Sequence, residues 1–132
     1  MRAAVFPDSE AVAVVWLRHA DLDATIATDM NGWRAGESRI TVTRIGGSPS
    51  LAQRIDNPRL DVDVYAASKE VAHDLAQLAR ARLHELPEGD HTALGAVVAN
   101  VADDLGLQYT PDPDTGTPRY IFTVALAVRP HP

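Results

Sequence analysis

Asp61 and Asp63 stand two residues apart in the stretch Asn57-Pro58-Arg59-Leu60-Asp61-Val62-Asp63-Val64-Tyr65-Ala66, where carboxylates alternate with apolar residues. Successive strand side chains point to opposite faces, so this alternation predicts a strand with Leu60, Val62 and Val64 on one face and Asp61, Asp63 and Tyr65 on the other. Two carboxyl groups on one face raise one another's pKa, and such a pair can serve acid–base chemistry. No base, nucleophile or metal motif accompanies them, and their separation of about 7 Å is that of any two same-face strand residues. Aspartate is a poor strand former, so the pair instead implies a wet, acidic sheet surface that faces water, a channel or a partner.

The remaining candidates for chemistry are weaker. His73 and His84 lie almost three helical turns apart on a side that also carries Gln77 and Arg80, which reads as a solvated face. His19 borders an apolar stripe and reads as a packing residue, while His91 and His131 fall in a loop and near the last residue; none has the close spacing of a zinc site. Asp103-Asp104 and Asp112/Asp114 are flanked by glycine and proline and read as turn formers, because the regular ligand spacing of a calcium loop is missing. Arg44-Ile45-Gly46-Gly47 lacks the Gly-Lys-Ser/Thr ending of a phosphate loop, and Ser48 and Ser50 lack a nucleophile-elbow context. The expectation is a protein without catalytic residues, metal or cofactor.

Composition places the chain among ordinary globular domains, neither disordered overall nor of the membrane class. The chain has the length of one domain, and 45% hydrophobic and 23% charged residues are near globular averages. Cysteine is absent, which removes disulfides, thiolate metal sites and thiol nucleophiles. The formal net charge of −6 is uneven: residues 1–57 hold six Arg against seven acids, and residues 58–132 hold five Arg and one Lys against eleven acids. With no basic run, tight phosphate binding is not expected. No stretch approaches the roughly 20 apolar residues of a membrane span, and Met1–Pro7 is too short in apolar character for a secretory signal, so residence in the cytosol is expected.

The elements follow from periodicity and punctuation. Pro7-Asp8 predicts a helix start with Asp8 as N-cap. Val12, Val15, Trp16 and His19 fall on one face of that helix and Val14 and Leu17 on the other, so it should be buried on two sides, within the fold or by another subunit. Ala24–Met30 is a weak strand, Asn31-Gly32 a turn, and Arg39–Ile45 a stronger strand that Gly46-Gly47 should end. Residues 46–57 read as a mobile polar loop anchored by Leu51 and Ile55. Ser68 caps a second helix with the apolar stripe Val71, Ala72, Leu75, Leu78, Ala79, Leu83 and Leu86, and Arg82 in its midst. Thr92–Val101 reads as a strand, Asp103–Leu107 as an irregular link, and Tyr120–Arg129 as the longest strand, apolar on both faces and therefore interior. The prediction is one α+β domain spanning residues 1–132: a single mixed, largely antiparallel sheet of four to five strands with two helices on the face opposite Asp61 and Asp63.

Four segments together, Phe6-Pro7-Asp8, Val42-Thr43-Arg44-Ile45-Gly46-Gly47, Pro58 through Ala66, and Thr117-Pro118-Arg119-Tyr120-Ile121-Phe122-Thr123-Val124, resemble the tail terminator proteins of long-tailed phages and prophages of actinobacteria. The resemblance covers nearly the whole chain and rests on strand and turn patterns, which a neighbouring head–tail joining protein could share. It implies a virion subunit, assembled in the host cytoplasm, that closes with copies of itself into a ring, usually a hexamer. That ring would cap the tail tube protein, end tube growth and present a docking surface to the head–tail connector. Under this reading Val14, Leu17, Arg44, Leu51, Arg54, Ile55, Arg59 and Arg82 are expected at subunit or tube interfaces. Asp61 and Asp63 would line the bore, where their charge keeps passing DNA from sticking; the competing expectation is that they pair with Arg39, Thr41 or Thr43 on an adjacent strand. A small-molecule-binding regulatory α+β domain is the reading from a different class.

Overall fold

The computed structural model describes residues 5–132. The stretch judged too short for a secretory signal begins in residues 1–4, outside the described residues. Helix α1 spans Ser9–Arg18, strand β1 Thr25–Ala27, β2 Arg39–Ser50, β3 Ile55–Tyr65, helix α2 Lys69–His84, β4 Ala96–Tyr109 and β5 Arg119–Pro130. Short 3₁₀ turns at Leu86–Glu88 and Thr92–Leu94 connect α2 to β4.

Both helices begin where local chemistry dictates. Asp8 accepts from the backbone N–H of Ala11 at 3.1 Å and Ser68 from that of Val71 at 3.2 Å, each satisfying a donor that the first helical turn leaves orphaned. Glu10 sits in the first turn of α1, and its Oε2 also accepts the backbone N–H of Arg44 at 2.6 Å, so the helix start closes a free donor on the edge of β2.

The strands form one mixed sheet in the order β1-β2-β3-β5-β4, with β1 parallel to β2 and every other pair antiparallel. This is the α+β architecture expected, with both helices on the face opposite the two aspartates. The register lines up Val42, Val62 and Phe122 across β2, β3 and β5, and all three are fully buried. Ile40, Val64, Leu60 and Val124 extend the same layer, over which α1 lays Val12, Ala13 and Leu17 and α2 lays Ala72, Leu75, Ala76, Ala79 and Leu83. Alanine at three of those α2 positions lets the helix axis approach the sheet closely.

Several expectations need correction. Val14 and Leu17 are 5% and 0% exposed, so they belong to the core and cannot serve a subunit interface; Val15 is the exposed apolar residue of α1. Val71 and Leu78, placed in the α2 core stripe by periodicity, are each 51% exposed, because the buried arc of α2 is narrower than the apolar arc of its sequence. Residues 46–57 are not a loop: β2 runs on to Ser50 and β3 starts at Ile55, leaving a turn at residues 51–54. Gly46 marks a register shift between Arg44 and Gly46, a bulge rather than a strand end. At Gly47 (φ 90°) an added Cβ would fall 1.9 Å from the carbonyl oxygen of Asn57, so only glycine lets the two strands stay paired there. β4 starts at Ala96 rather than Thr92 and continues through the expected link at Asp103–Leu107, with register shifts that absorb the irregularity. It is also longer than β5, which is nevertheless interior as expected.

Candidate functional site

The candidate site is the open face of the sheet. Alternation along β3 puts Arg59, Asp61, Asp63 and Tyr65 there, and register brings them beside specific neighbours: Thr43 and Thr123 flank Asp61, Thr41 and Ile121 flank Asp63, and Arg39 and Arg119 flank Tyr65. The two carboxylates therefore share one face of a strand, as the alternating pattern predicted, and that strand is the central one; threonines flank Asp61 on both sides and Asp63 on one.

One end of this face is roofed by the segment between β1 and β2. Trp33 packs on Tyr65 with ring centroids 5.2 Å apart, and the Arg39 guanidinium donates to the carbonyls of Asn31 at 2.8 Å and Asp29 at 3.3 Å. Arg39 Nη1 is thereby spent on the roof and Nη2 lies 3.7 Å from Glu37, while Nε is buried without a partner among the described residues; Arg39 does not pair with the aspartates. Arg119 lies over the Tyr65 ring and donates to the carbonyl of Thr110 at 2.8 Å, leaving Nη1 3.9 Å from Asp63, an outer-limit ion pair. At the other end Arg59 reaches over β5, where the facing residue is Ala125, to meet Asp104 of β4 at 2.6 Å.

Asp63 is the electrostatically unusual group. Its carboxyl is held up to about 7, first by burial, then by the neighbouring Asp61 carboxylate, against a smaller opposing pull from Arg119. Among the described residues its Oδ1 is buried without a hydrogen-bond partner. The expected pairing with Arg39, Thr41 or Thr43 does not supply one.

The other expected interface residues scatter. Arg44 grips Asp56 through two hydrogen bonds of 2.6 and 2.8 Å within the same chain, which raises the Arg44 pKa. Arg82 pairs with Glu85 one turn on, on an exposed flank. Leu51 is 64% exposed at the hairpin turn, Arg54 beside it is exposed at φ 55°, and Ile55 is half-buried. Arg44, Arg59 and Arg82 thus satisfy acids of their own subunit, while Leu51 and Arg54 remain outward.

The helix α2 side read as merely solvated binds β4. Asp103 accepts from Arg80 in a two-pronged pair and from His84 at 2.8 Å, and the Arg80 contact holds the Asp103 carboxyl below its usual range. Arg80 and His84 stand four residues apart, the one local signal for such a shared acid. His91 lies in the connection between the two 3₁₀ turns, as expected of a loop residue, but is buried there: its ring meets the Leu86 carbonyl at 2.7 Å and Trp16 edge-on at 5.3 Å. His19 is exposed rather than packed, with Nδ1 2.8 Å from the Val15 carbonyl. Asp112 does form the expected turn, accepting from the N–H groups of Asp114 and Thr115.

Among the described residues no group of three or more His, Asp or Glu is arranged to hold a metal ion, and no helix is long and apolar enough to cross a membrane. Open surface depressions of about 270 Å³ beside Trp16, Asp21 and Glu85 and about 410 Å³ beside Lys69, His73 and Tyr120 carry mixed polar and apolar walls. No family model matches the chain, and no curated protein matches it.

Proposed function

We propose that this protein is a structural subunit that assembles with copies of itself into a ring capping a phage-type tail tube, ending tube growth and offering its far side to the head–tail connector. The observation that carries the reading is the build of the sheet. One face is completed by two helices, and the other is left polar, with Asp61 and Asp63 on its central strand. β1 accompanies β2 only as far as Thr41, and β4 has no outer neighbour among the described strands, so most of both sheet edges is free. A subunit with two different free edges suits a heterologous contact, and such a contact makes a closed ring when its rotation closes. The exposed hairpin turn with Leu51 and Arg54 gives the ring a feature with which to meet the tube.

In the ring, the face bearing Asp61 and Asp63 borders the bore, where negative charge lets DNA pass without adhering. The localisation that follows is the head-proximal end of the tail. The test combines native mass spectrometry of the purified chain with electron microscopy of tubes grown from its cognate tube protein. Rings of about six copies and tubes of limited length with a ring at one end are expected. Tubes of unchanged length, with the protein absent from their ends, would overturn the reading.

A further inference from the structure

We propose that Asp61 and Asp63 hold one proton between them at neutral pH, Asp63 as the acid donating to a carboxylate oxygen of Asp61, so that the open face of the sheet carries a built-in pH switch. This inference does not rest on the ring reading, since it concerns the folded subunit alone.

The geometry leaves few alternatives. Oδ1 of Asp63 is shielded from solvent and has no partner among the described residues, and an unpartnered buried carboxylate oxygen is a costly thing to keep. Its surroundings offer little relief. On β2, Thr41 stands opposite and Thr43 beside Asp61, and Arg39 is turned to the Asn31 and Asp29 carbonyls. On β5, Ile121 is apolar, Thr123 is buried, and Arg119 stays 3.9 Å away while donating to Thr110. On β3 itself, Tyr65 lies under Arg119, and Arg59 is committed to Asp104 of β4. No donor among the described residues reaches the orphaned oxygen, although Arg39 Nε on the same face is likewise buried without a partner; the Asp61 carboxyl stands next to it on the same face and strand, and two carboxyls bind one another only through a proton. Burial of Asp63 and the charge of Asp61 push in the same direction, toward a protonated Asp63 up to about pH 7.

Losing that proton puts two like charges on adjacent same-face positions and leaves Asp63 with only the distant Arg119. The open face then gains a full negative charge. A surface packed on this face would be loosened as pH rises through neutrality, and one that must repel an anion would repel it more.

The direct test is a side-chain carboxyl carbon NMR titration of the wild-type chain from pH 4 to pH 9. One aspartate resonance is expected to shift with a midpoint near neutrality, and its neighbour's resonance to move with it. In Asp61→Asn the midpoint should fall toward the ordinary carboxylate range without reaching it, because burial remains. In Asp63→Asn the near-neutral step should vanish while an amide N–H donates to Asp61 in place of the acid. Titration of both carboxyls below pH 5 in the wild type would overturn the proposal, and so would an unchanged near-neutral step in Asp63→Asn. The wild-type titration decides the matter even if a variant fails to fold.

Discussion

On the covered face of the sheet, Val42, Val62 and Phe122 lie side by side and are wholly buried; one residue along the same strands, on the other face, Thr41, Asp63 and Ile121 lie side by side, and a carboxyl oxygen has no partner among the described residues. The backbone ladder is shared, so the difference belongs to side chains alone. Apolar burial on the first face supplies stability, whereas the second face holds groups that cost stability where they stand. Residues that are kept at a cost in folding energy are the ones to examine for function.

The largest effect that tests this contrast comes from neighbouring residues on opposite faces. Phe122→Ala should destabilise by about 4 kcal/mol in urea denaturation, since a fully buried ring leaves a cavity, and Ile121→Ala by about 1 kcal/mol, since a half-buried side chain on the open face can be replaced in part by water. Equal losses would mean that the open face is a second core.

The two Arg–Asp pairs sharpen the comparison. Arg44 and Asp56 flank the covered layer, with the Asp56 side chain 3% exposed, while Arg59 and Asp104 span the open face with side chains 48% and 35% exposed. Arg44→Ala strands a buried carboxylate and should cost about 3 kcal/mol, whereas Arg59→Ala should cost under about 1 kcal/mol and lose even that in high salt. Thermal melts at low and high ionic strength separate them. A large, salt-resistant loss for Arg59→Ala would show that the open face is tied down as firmly as the other.

Next in size is the pH dependence of stability. Unfolded Asp63 ionises near its ordinary value, 3.8, and the folded group keeps its proton to about 7, so between those values the unfolded state binds fewer protons. Stability due to this group is therefore full below about pH 4 and is lost as pH rises to about 7. Allowing for solvent on the open face, the loss is on the order of 2 kcal/mol. Asp103 works in the opposite sense, its lowered pKa adding stability above the ordinary range, so the difference between wild type and Asp63→Asn is the quantity to follow by urea denaturation at pH 5 and pH 8. It should change by the larger part of that amount between the two, since the loss has already begun at pH 5; a difference that does not vary with pH breaks the argument.

The same contrast explains which features were readable from sequence. Asp8 and Ser68 announce their helices because capping is local, and the 60–65 alternation announces its strand because one face is apolar throughout. Gly46-Gly47 misleads because glycine ends a strand in one context and in another lets a strand bulge and pass close to its neighbour, and the nearness of Asn57 is a tertiary fact. Val14 and Val15 are chemically alike, and only the position of the sheet decides that the first is buried and the second exposed. The acidity of the open face was legible, but the isolation of Asp63 was not, because it depends on Arg39 and Arg119 being occupied by the carbonyls of Asp29, Asn31 and Thr110.

The smallest effect on folding is expected at the hairpin turn, and there the comparison between stability and assembly is cleanest. Leu51 is 64% exposed and Arg54 is exposed beside it, so replacing Leu51 with Ser removes almost no buried area and should change stability by less than about 0.5 kcal/mol. The hairpin itself is held below the turn by the Arg44–Asp56 pair and the Gly47 crossing, neither of which involves Leu51. If the turn meets the tube or another subunit, Leu51→Ser should leave the urea midpoint in place and still reduce the fraction of rings or of capped tubes counted by electron microscopy. Unchanged assembly with an unchanged midpoint removes the turn from the interface and leaves the free edges of β2 and β4 to account for it. A lowered midpoint would instead mean that Leu51 packs within its own subunit, and the division between a stabilising interior and an available surface would have to be redrawn at that end of the sheet.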